Sequence, residues 1–173
     1  MRLLPLALRD LPAMQALLDA DPEYARRVTG ADPAPGSATD LILDRPPDLH
    51  PDRKAVLGAV DDHGLAAVVD VLRGWPASSI AHIGLLQVHA GRKHQGVGRR
   101  THAMLVEWVA QAWPEIRVLR AAIVATNADA AGPFWAAMGY RPTEAPKPYQ
   151  AGVTSTTVTA WTRPVAPIET GAP

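Results

Sequence analysis

The stretch Gly91-Arg92-Lys93-His94-Gln95-Gly96-Val97-Gly98-Arg99-Arg100 is the densest cluster of glycine and positive charge in the chain. It separates a predicted apolar strand, residues 80 to 88, from a helix predicted to begin at Gly98. Gly96 and Gly98 can adopt positive φ and turn N–H groups toward a ligand without a Cβ in the way. The following helix adds the positive end of its dipole. The pattern therefore predicts a turn that binds a phosphate.

Two common phosphate-binding turns are excluded by missing residues. A dinucleotide fingerprint needs a third glycine where Thr101 stands, and an acidic residue about twenty positions further on, where the chain has Val118 and Leu119. A nucleoside triphosphate loop needs Gly-Lys followed by Ser or Thr, whereas Gly98 is followed by Arg99. Neither of these two nucleotide-binding patterns therefore fits the stretch.

With a second landmark, the stretch resembles the Gcn5-related N-acetyltransferase (GNAT) superfamily. Residues 93 to 98 match the turn Gln/Arg-x-x-Gly-x-Gly/Ala that binds the acetyl-CoA pyrophosphate in that family, with Lys93 at the first position. Residues 83 to 88 stand in the place of the family's fourth strand. Thr126 and Asn127 close a later apolar strand, and residues 133 to 140 resemble the family's closing helix. The similarity covers residues 54 to 141 well.

This resemblance implies a fold and an activity. The expected fold class is α/β (α+β), with one GNAT-like domain whose mixed, mostly antiparallel twisted sheet is flanked by helices and has splayed central strands. Residues 1 to 163 would form the N-acetyltransferase domain, and residues 164 to 173 a flexible C-terminal tail. The expected reaction moves an acetyl group from acetyl-CoA to a primary amine by direct attack in a ternary complex. Two alternatives stay open: a CoA-binding sensor or interaction domain without catalysis, and transfer of a different acyl group.

The family also implies which residues contact the cofactor. Main-chain groups of the splayed strand would hold the pantetheine and the thioester, the turn would hold the pyrophosphate, and the closing helix would complete the site. The expected cofactor-binding residues are Leu86, Gln87, Val88, Lys93, His94, Gln95, Gly96, Val97, Gly98, Arg99, Arg100, Asn127, Phe134 and Trp135. Asn127 could also cap the helix that follows it, and the two roles are compatible.

The catalytic residues are less well marked. Trp135 occupies the position where the family often has a Tyr general acid, and an indole is not a usable acid. Tyr140, Tyr149, water or the ammonium of the intermediate could supply that proton instead. His82 is the candidate general base, because it falls where some family members carry a carboxylate and an imidazole pKa near 6.5 suits neutral pH.

Strand alternation would put His82 on one face with Gly84, Leu86 and Val88. A half-exposed strand His without a role is the alternative. Asp70 and Glu107 are weaker substitutes for the base.

Composition excludes several other functions. The 173 residues suit one domain, and 17 Lys and Arg balance 17 Asp and Glu, so no global charge favours nucleic acid or a membrane surface. The absence of Cys excludes a disulfide scaffold, a thiolate metal site and a Cys-bound acyl intermediate. We expect no metal, no membrane span, a cytoplasmic location and a small-molecule or peptide amine as acceptor. Edge strands near the C terminus would allow a homodimer.

Hydrophobic periodicity and turn residues predict the remaining elements. Residues 31 to 52 read as a long irregular loop with one turn at residues 41 to 43. Tyr149 is expected in a loop. The expected strands are residues 3 to 8, 55 to 60, 65 to 73, 80 to 88, 118 to 125 and 154 to 162. Four helices are expected. The first follows Asp10 and includes Leu18, and the second runs from Pro22 to just before Gly30. The third runs from Gly98 to about Trp113, and the fourth from Ala130 to Met138.

Overall fold

The computed structural model describes residues 1 to 165, which build an eight-stranded sheet in the order β1-β2-β3-β4-β5-β8-β6, with β7 also paired to β8. Only β4 and β5 run parallel to each other. This confirms the predicted α/β class with a mixed, mostly antiparallel sheet. The strands are β1 (Arg2–Pro5), β2 (Lys54–Asp61), β3 (Gly64–Arg73), β4 (Ile80–Val88), β5 (Val118–Val124), β6 (Arg141–Pro142), β7 (Lys147–Ala151) and β8 (Thr154–Pro164).

Helices cover both faces of the sheet. On β2 and β3, Val56 and Val68 pack against α1 and α3, whereas the next residues along each strand, Leu57 and Val69, pack against α4 and α5. This alternation buries the sheet on both sides. The helices are α1 (Leu11–Asp19), α2 (Pro22–Thr29), α3 (Ser37–Leu43), α4 (Val97–Ala112) and α5 (Ala128–Ala137), joined in places by short 3-10 turns.

The two parallel strands separate halfway along their length. Pairing of β4 with β5 runs only from Ile80 opposite Val118 to Ile83 opposite Ala121. Beyond that point each strand continues without pairing to the other, so main-chain groups face an open gap. The predicted splaying of the central strands is thus present in the structure.

A β-bulge lies at the point of separation. Asp70 of β3 pairs with Leu85 of β4, but Val71 pairs with Ile83, so Gly84 is an extra residue with no partner. A bulge reverses the facing of the residues beyond it. Leu86 therefore packs in the same core as Ile83, and the predicted common face of His82, Gly84, Leu86 and Val88 is wrong.

Four elements differ from the sequence-based expectation. Residues 37 to 43 form a full helix, α3, rather than one turn, because Ala38, Leu41 and Ile42 pack against α1. Residues 6 to 8 leave the first strand. The short strands β6 and β7 were not predicted, since each contains a proline and draws its stability from pairing with β8. Tyr149 consequently lies on β7.

The end of the described chain is part of the fold. Pro164 is the last residue of β8, and Val165 is 9% exposed within the main core. The predicted boundary at residue 163 thus falls inside β8. Residues 166 to 173 of the predicted tail lie outside the described residues. Among residues 1 to 165, no helix combines the length and apolar character that crossing a membrane requires.

Candidate active site

A cavity of about 660 Å³ opens at the gap between β4 and β5 and extends to the first turn of α4. Main chain and side chains of both strands line its inner end. The α4 turn lines the other end, and α2 and α5 form its sides. Several of the lining residues are Ile83, Gly84, Leu86, Val88, Gly96, Val97, Gly98, Ala122, Val124, Phe134 and Met138.

The first turn of α4 presents free N–H groups to this cavity. Gly96 is the N-cap residue with φ 75°, and no side chain caps the helix. The first-turn amides of an uncapped helix have no partner within the helix and carry the positive end of its dipole. Gly98 is needed for close packing, because a Cβ there would lie 3.2 Å from Phe134 Cε2 and 3.4 Å from Val88 Cγ2.

The loop before α4 is held by ion pairs. Arg92 binds Asp61 through two nitrogens, at 2.6 and 3.3 Å, and lowers the pKa of that carboxyl to about 2. Lys93 Nζ lies 2.5 Å from Asp21 Oδ2 at the start of α2. His94 has φ 61°, a left-handed conformation that non-glycine residues adopt at a cost and that clusters at functional sites.

Most predicted cofactor-binding residues come together around the cavity. Twelve line it, and two do not: Gln95, whose side-chain amide donates to Gly91 O at 3.0 Å, and Arg100, which is exposed. The lining residues are Leu86, Gln87, Val88, Lys93, His94, Gly96, Val97, Gly98, Arg99, Asn127, Phe134 and Trp135. Their role in binding a cofactor stays a prediction.

Asn127 is positioned by α2 rather than by the helix it precedes. Its side chain does not cap α5, so the predicted capping role is wrong. Asn127 Oδ1 instead accepts a hydrogen bond from Arg27 Nε at 2.8 Å, and Thr126 Oγ1 donates to Arg27 O at 2.5 Å. These contacts fix the end of β5 against α2 at the cavity wall.

His82 does not line the cavity. It is 8% exposed, its Nδ1 lies 3.0 Å from Arg120 Nη1, and its ring lies 4.8 Å from the Trp75 ring. Burial, with the charge of Arg120, lowers the pKa of His82 to about 3. A neutral imidazole that accepts a hydrogen bond from Arg120 has its basic nitrogen occupied, so this geometry does not favour the predicted role as general base.

Tyr140 is also remote from the cavity. It is 1% exposed, and its hydroxyl lies 3.1 Å from His102 Nε2 in a hydrogen bond. Burial raises the pKa of Tyr140 and lowers that of His102 to about 4. Trp135 stacks edge-on with both rings and reaches the cavity wall. The three rings therefore form a packed cluster that supports α5, and the proposed acid role of Tyr140 has no geometric support.

Asp70 of β3 lies next to Gly84, the bulged residue at the point where the strands separate. It is 8% exposed, and Lys54 Nζ lies 2.9 Å from its Oδ1 as an ion pair. Oδ1 nevertheless accepts no well-directed hydrogen bond from residues 1 to 165. Burial raises the pKa of Asp70, although Lys54 opposes the change. Glu107, the other weaker candidate, is exposed on α4 and lines neither this cavity nor the second cavity described below.

Tyr24 of α2 is a site residue that the sequence did not reveal. It lines this cavity and the second one beside it, and burial, with Tyr149 and Asp70 nearby, raises the pKa of Tyr24 to about 12. Its hydroxyl therefore stays protonated at neutral pH and can donate a hydrogen bond. The only sequence signal is its place two residues after Pro22, on a helix whose start was predicted.

The described residues contain no cluster of three or more His, Cys, Asp or Glu side chains suited to a metal ion. The groups that line the cavity include main-chain N–H groups, the Tyr24 hydroxyl, the Asp21 carboxylate and the Arg99 guanidinium, and the Asp70 carboxylate lies in the second cavity beside it.

Comparison with known structures identifies the class of fold. An acetyltransferase from Thermus thermophilus superposes with a TM-score of 0.71 at 20% identity, covering 95% of this chain and 97% of its own. The ribosomal-protein-S18-alanine N-acetyltransferase of Escherichia coli gives 0.67 at 14% identity, covering 99% and 97%. A protein from Desulfovibrio desulfuricans assigned to the GNAT family gives 0.66 at 20% identity, covering 95% and 98%.

The chain therefore has the GNAT fold, as its sequence motifs predicted. No protein-family model matches the chain, and no curated protein sequence matches it significantly.

Proposed function

We propose that this protein transfers an acetyl group from acetyl-CoA to a primary amine by direct attack in a ternary complex. The observation that carries the proposal is the continuity of one cavity from the uncapped first turn of α4 to the open edges of β4 and β5. Acetyl-CoA is a long molecule with a pyrophosphate near one end and a thioester at the other. It therefore requires one cavity that contains both an anion site and exposed main-chain donors.

The two ends of the cavity suit the two ends of such a donor. At the α4 turn, the amides after Gly96 and the Arg99 guanidinium would bind the pyrophosphate oxygens. At the gap, the β4 main chain beyond Ile83 would bind the pantetheine and polarise the thioester carbonyl. One preorganised donor at that carbonyl can contribute roughly 10²- to 10³-fold to turnover.

The acceptor ammonium must lose a proton before it can attack, since an alkylammonium has a pKa of about 10. Asp70 is placed to take that proton, because one oxygen lies over Gly84 at the point where the strands separate. The amine nitrogen then forms a bond to the acetyl carbon, and the bond from that carbon to sulfur breaks. The attacking nitrogen loses its second proton to water as the amide forms, and CoA departs as the thiolate.

Tyr24 would stabilise the leaving group by donation rather than by full proton transfer. Its pKa of about 12 lies above the thiol pKa of about 8.5, so moving the proton to the thiolate is unfavourable. A hydrogen bond from the hydroxyl lowers the energy of the anion without that transfer. The chain has no Cys, and no covalent acyl-enzyme is required.

Two measurements on the purified full chain test the proposal. Calorimetry should show binding of acetyl-CoA and CoA, and a thiol assay should show CoA release that depends on added primary amine, with the acetylated amine found by mass spectrometry. Binding without turnover of any amine would instead support the sensor alternative. A higher kcat/KM with propionyl-CoA or butyryl-CoA would support the alternative of a different acyl group.

A further inference from the structure

A second cavity of about 290 Å³ lies beside the first, under α1, α2 and α3 on the opposite face of the sheet from α4. It is enclosed partly by apolar side chains, including Leu18, Val28 and Leu41. The two cavities meet along one wall, which consists of Asp21, Tyr24, Val28, Leu85 and Gln87. A molecule in the second cavity would thus reach toward the gap between β4 and β5.

The inner end of this cavity holds a buried carboxylate. Asp70 is 8% exposed, and its Oδ1 accepts no well-directed hydrogen bond from the described residues. Its only ionic partner there is Lys54, at 2.9 Å. A buried ion pair rarely adds net stability, because the cost of desolvation offsets the attraction. Lys54 contacts only Oδ1 of the carboxylate, so Oδ2, which lies next to Gly84, can accept a hydrogen bond from a ligand.

The outer end carries two more carboxylates, Asp40 and Asp44. Asp40 lies in the first turn of α3 and Asp44 is its C-cap residue, and both line the cavity and are exposed. Neither makes an ion pair within residues 1 to 165. Negative charge at the C-terminal end of a helix opposes its dipole. Helix stability therefore does not explain Asp44.

Among the described residues that line the cavity, Lys54 is the single cation, and its charge is already paired. Lys54 Nζ donates a hydrogen bond to Asp44 O at 2.6 Å and forms an ion pair with Asp70 Oδ1. Its positive charge is therefore already paired with the carboxylate of Asp70. Asp21, the remaining acidic residue of the wall, is paired with Lys93. The cavity thus has an excess of negative charge, concentrated at its outer end.

We infer that the second cavity binds the acceptor, and that the acceptor is a dicationic amine: a primary amine whose carbon chain ends in a second positive charge. The reacting ammonium would lie against Asp70 near the gap, the apolar side chains would enclose the carbon chain, and the second charge would lie between Asp40 and Asp44. An acceptor with a carboxylate at that end would be repelled. This inference rests on the proposed function and specifies its acceptor.

Three four-carbon amines test the inference: 1,4-diaminobutane, butylamine and 4-aminobutanoate, with six-carbon equivalents to allow for the depth of the cavity. We expect kcat/KM with acetyl-CoA to be at least tenfold higher for the diamine than for the monoamine in one of the two sets, and lowest for the amino acid. Raising the salt concentration should reduce the difference, since exposed charges are screened.

A double variant that removes both charges then tests whether Asp40 and Asp44 cause the preference for the diamine. Asp40→Asn with Asp44→Asn should lower kcat/KM for the diamine about tenfold and bring the ratio of diamine to monoamine close to one. Asp48→Asn with Asp62→Asn is the matched control, because it removes the same charge from exposed residues that line neither cavity. The ratio should be retained there.

The outcomes separate this inference from the proposed function. Two results would overturn the inference and leave the proposed function standing. One is acetylation of amines with no preference for the diamine in either set, and the other is a preference that persists in the Asp40 and Asp44 variant. Failure of every amine to release CoA would overturn both.

Discussion

Asp70 of β3 fills the space that a side chain on Gly84 of β4 would occupy. A Cβ built on Gly84 would lie 2.6 Å from Asp70 Oδ2, closer than carbon and oxygen approach without displacement. Gly84 is the bulged residue and is exposed to the first cavity. The Asp70 carboxylate of β3 thus lies beside Gly84 of β4, in the space that a side chain at position 84 would fill.

Replacing Gly84 by Ala should destabilise the protein through this contact. We expect a loss of about 1 to 3 kcal/mol in the free energy of unfolding, because the buried Asp70 is held by Lys54 and cannot move freely. In an Asp70→Ala background the oxygen is gone, and Gly84→Ala should cost less than about 0.5 kcal/mol. Chemical denaturation of the four proteins of this double-mutant cycle measures the coupling.

Asp70→Asn is the matched control for that cycle. An asparagine keeps an atom at the same position, so Gly84→Ala should remain as costly there as in the unmodified protein. Equal costs of Gly84→Ala in the Asp70→Ala and Asp70→Asn backgrounds would show that the contact is not the cause.

Gly96→Ala should weaken cofactor binding by distorting the turn. With φ at 75°, a residue with a Cβ costs roughly 1 to 2 kcal/mol, and relaxation of the turn would reorient the amides of the first turn of α4. We expect the Kd for CoA to rise about tenfold in calorimetry. Gly132→Ala is the control, because a Cβ there meets nothing within 4 Å on α5 and Gly132 does not line the cavity. An unchanged Kd in Gly96→Ala would argue against the amides as the anion site.

The geometry of β4 and of the turn before α4, where we propose that the cofactor binds, was predictable because its information is local. Strand β4 has the predicted bounds, Ile80–Val88, since an apolar run there is followed by a glycine-rich turn. The left-handed conformation of Gly96 and the tight packing of Gly98 follow from residues within the same motif. Such a local motif can be predicted without knowing which strands pair.

The wall at which we propose that the acceptor binds depends on contacts that no local pattern encodes. The bulge at Gly84 arises from the register with β3, and it moves His82 away from the face on which Leu86 lies. Tyr24 and Asp70 come from elements 46 positions apart, and they line one cavity only because α2 packs over β3 and β4. Alternation along β4 alone predicted the wrong face for that reason.

Tyr24→Phe should lower turnover without weakening cofactor binding. The variant removes a hydroxyl that lines both cavities and keeps the ring, so kcat should fall roughly 10²-fold, as expected for the loss of one donor to a developing charge. The Kd for CoA should stay within about twofold by calorimetry. Tyr149→Phe is the control, because Tyr149 lies close to Tyr24 but lines neither cavity. A larger loss of kcat in the control would remove Tyr24 from the mechanism.

His82 should make the folded protein sensitive to acid. Its pKa is lowered to about 3 by burial and by Arg120, whereas the imidazole of an unfolded chain titrates near 6.5. Between these two pH values the unfolded chain binds a proton that the folded chain does not. The free energy of unfolding therefore falls as the pH is lowered from 6.5 toward 3, with a contribution from His82 of at most about 1.4 kcal/mol per pH unit.

His82→Asn isolates that contribution, because asparagine can still accept a hydrogen bond from Arg120 but does not titrate. Urea denaturation from pH 7 to pH 4 should show a smaller loss of stability on acidification, while His102, whose pKa is lowered to about 4 by burial and by Arg163, continues to contribute. If His82→Asn kept the full slope and instead lost turnover at pH 7 with CoA affinity intact, the imidazole would be the general base that the sequence first indicated.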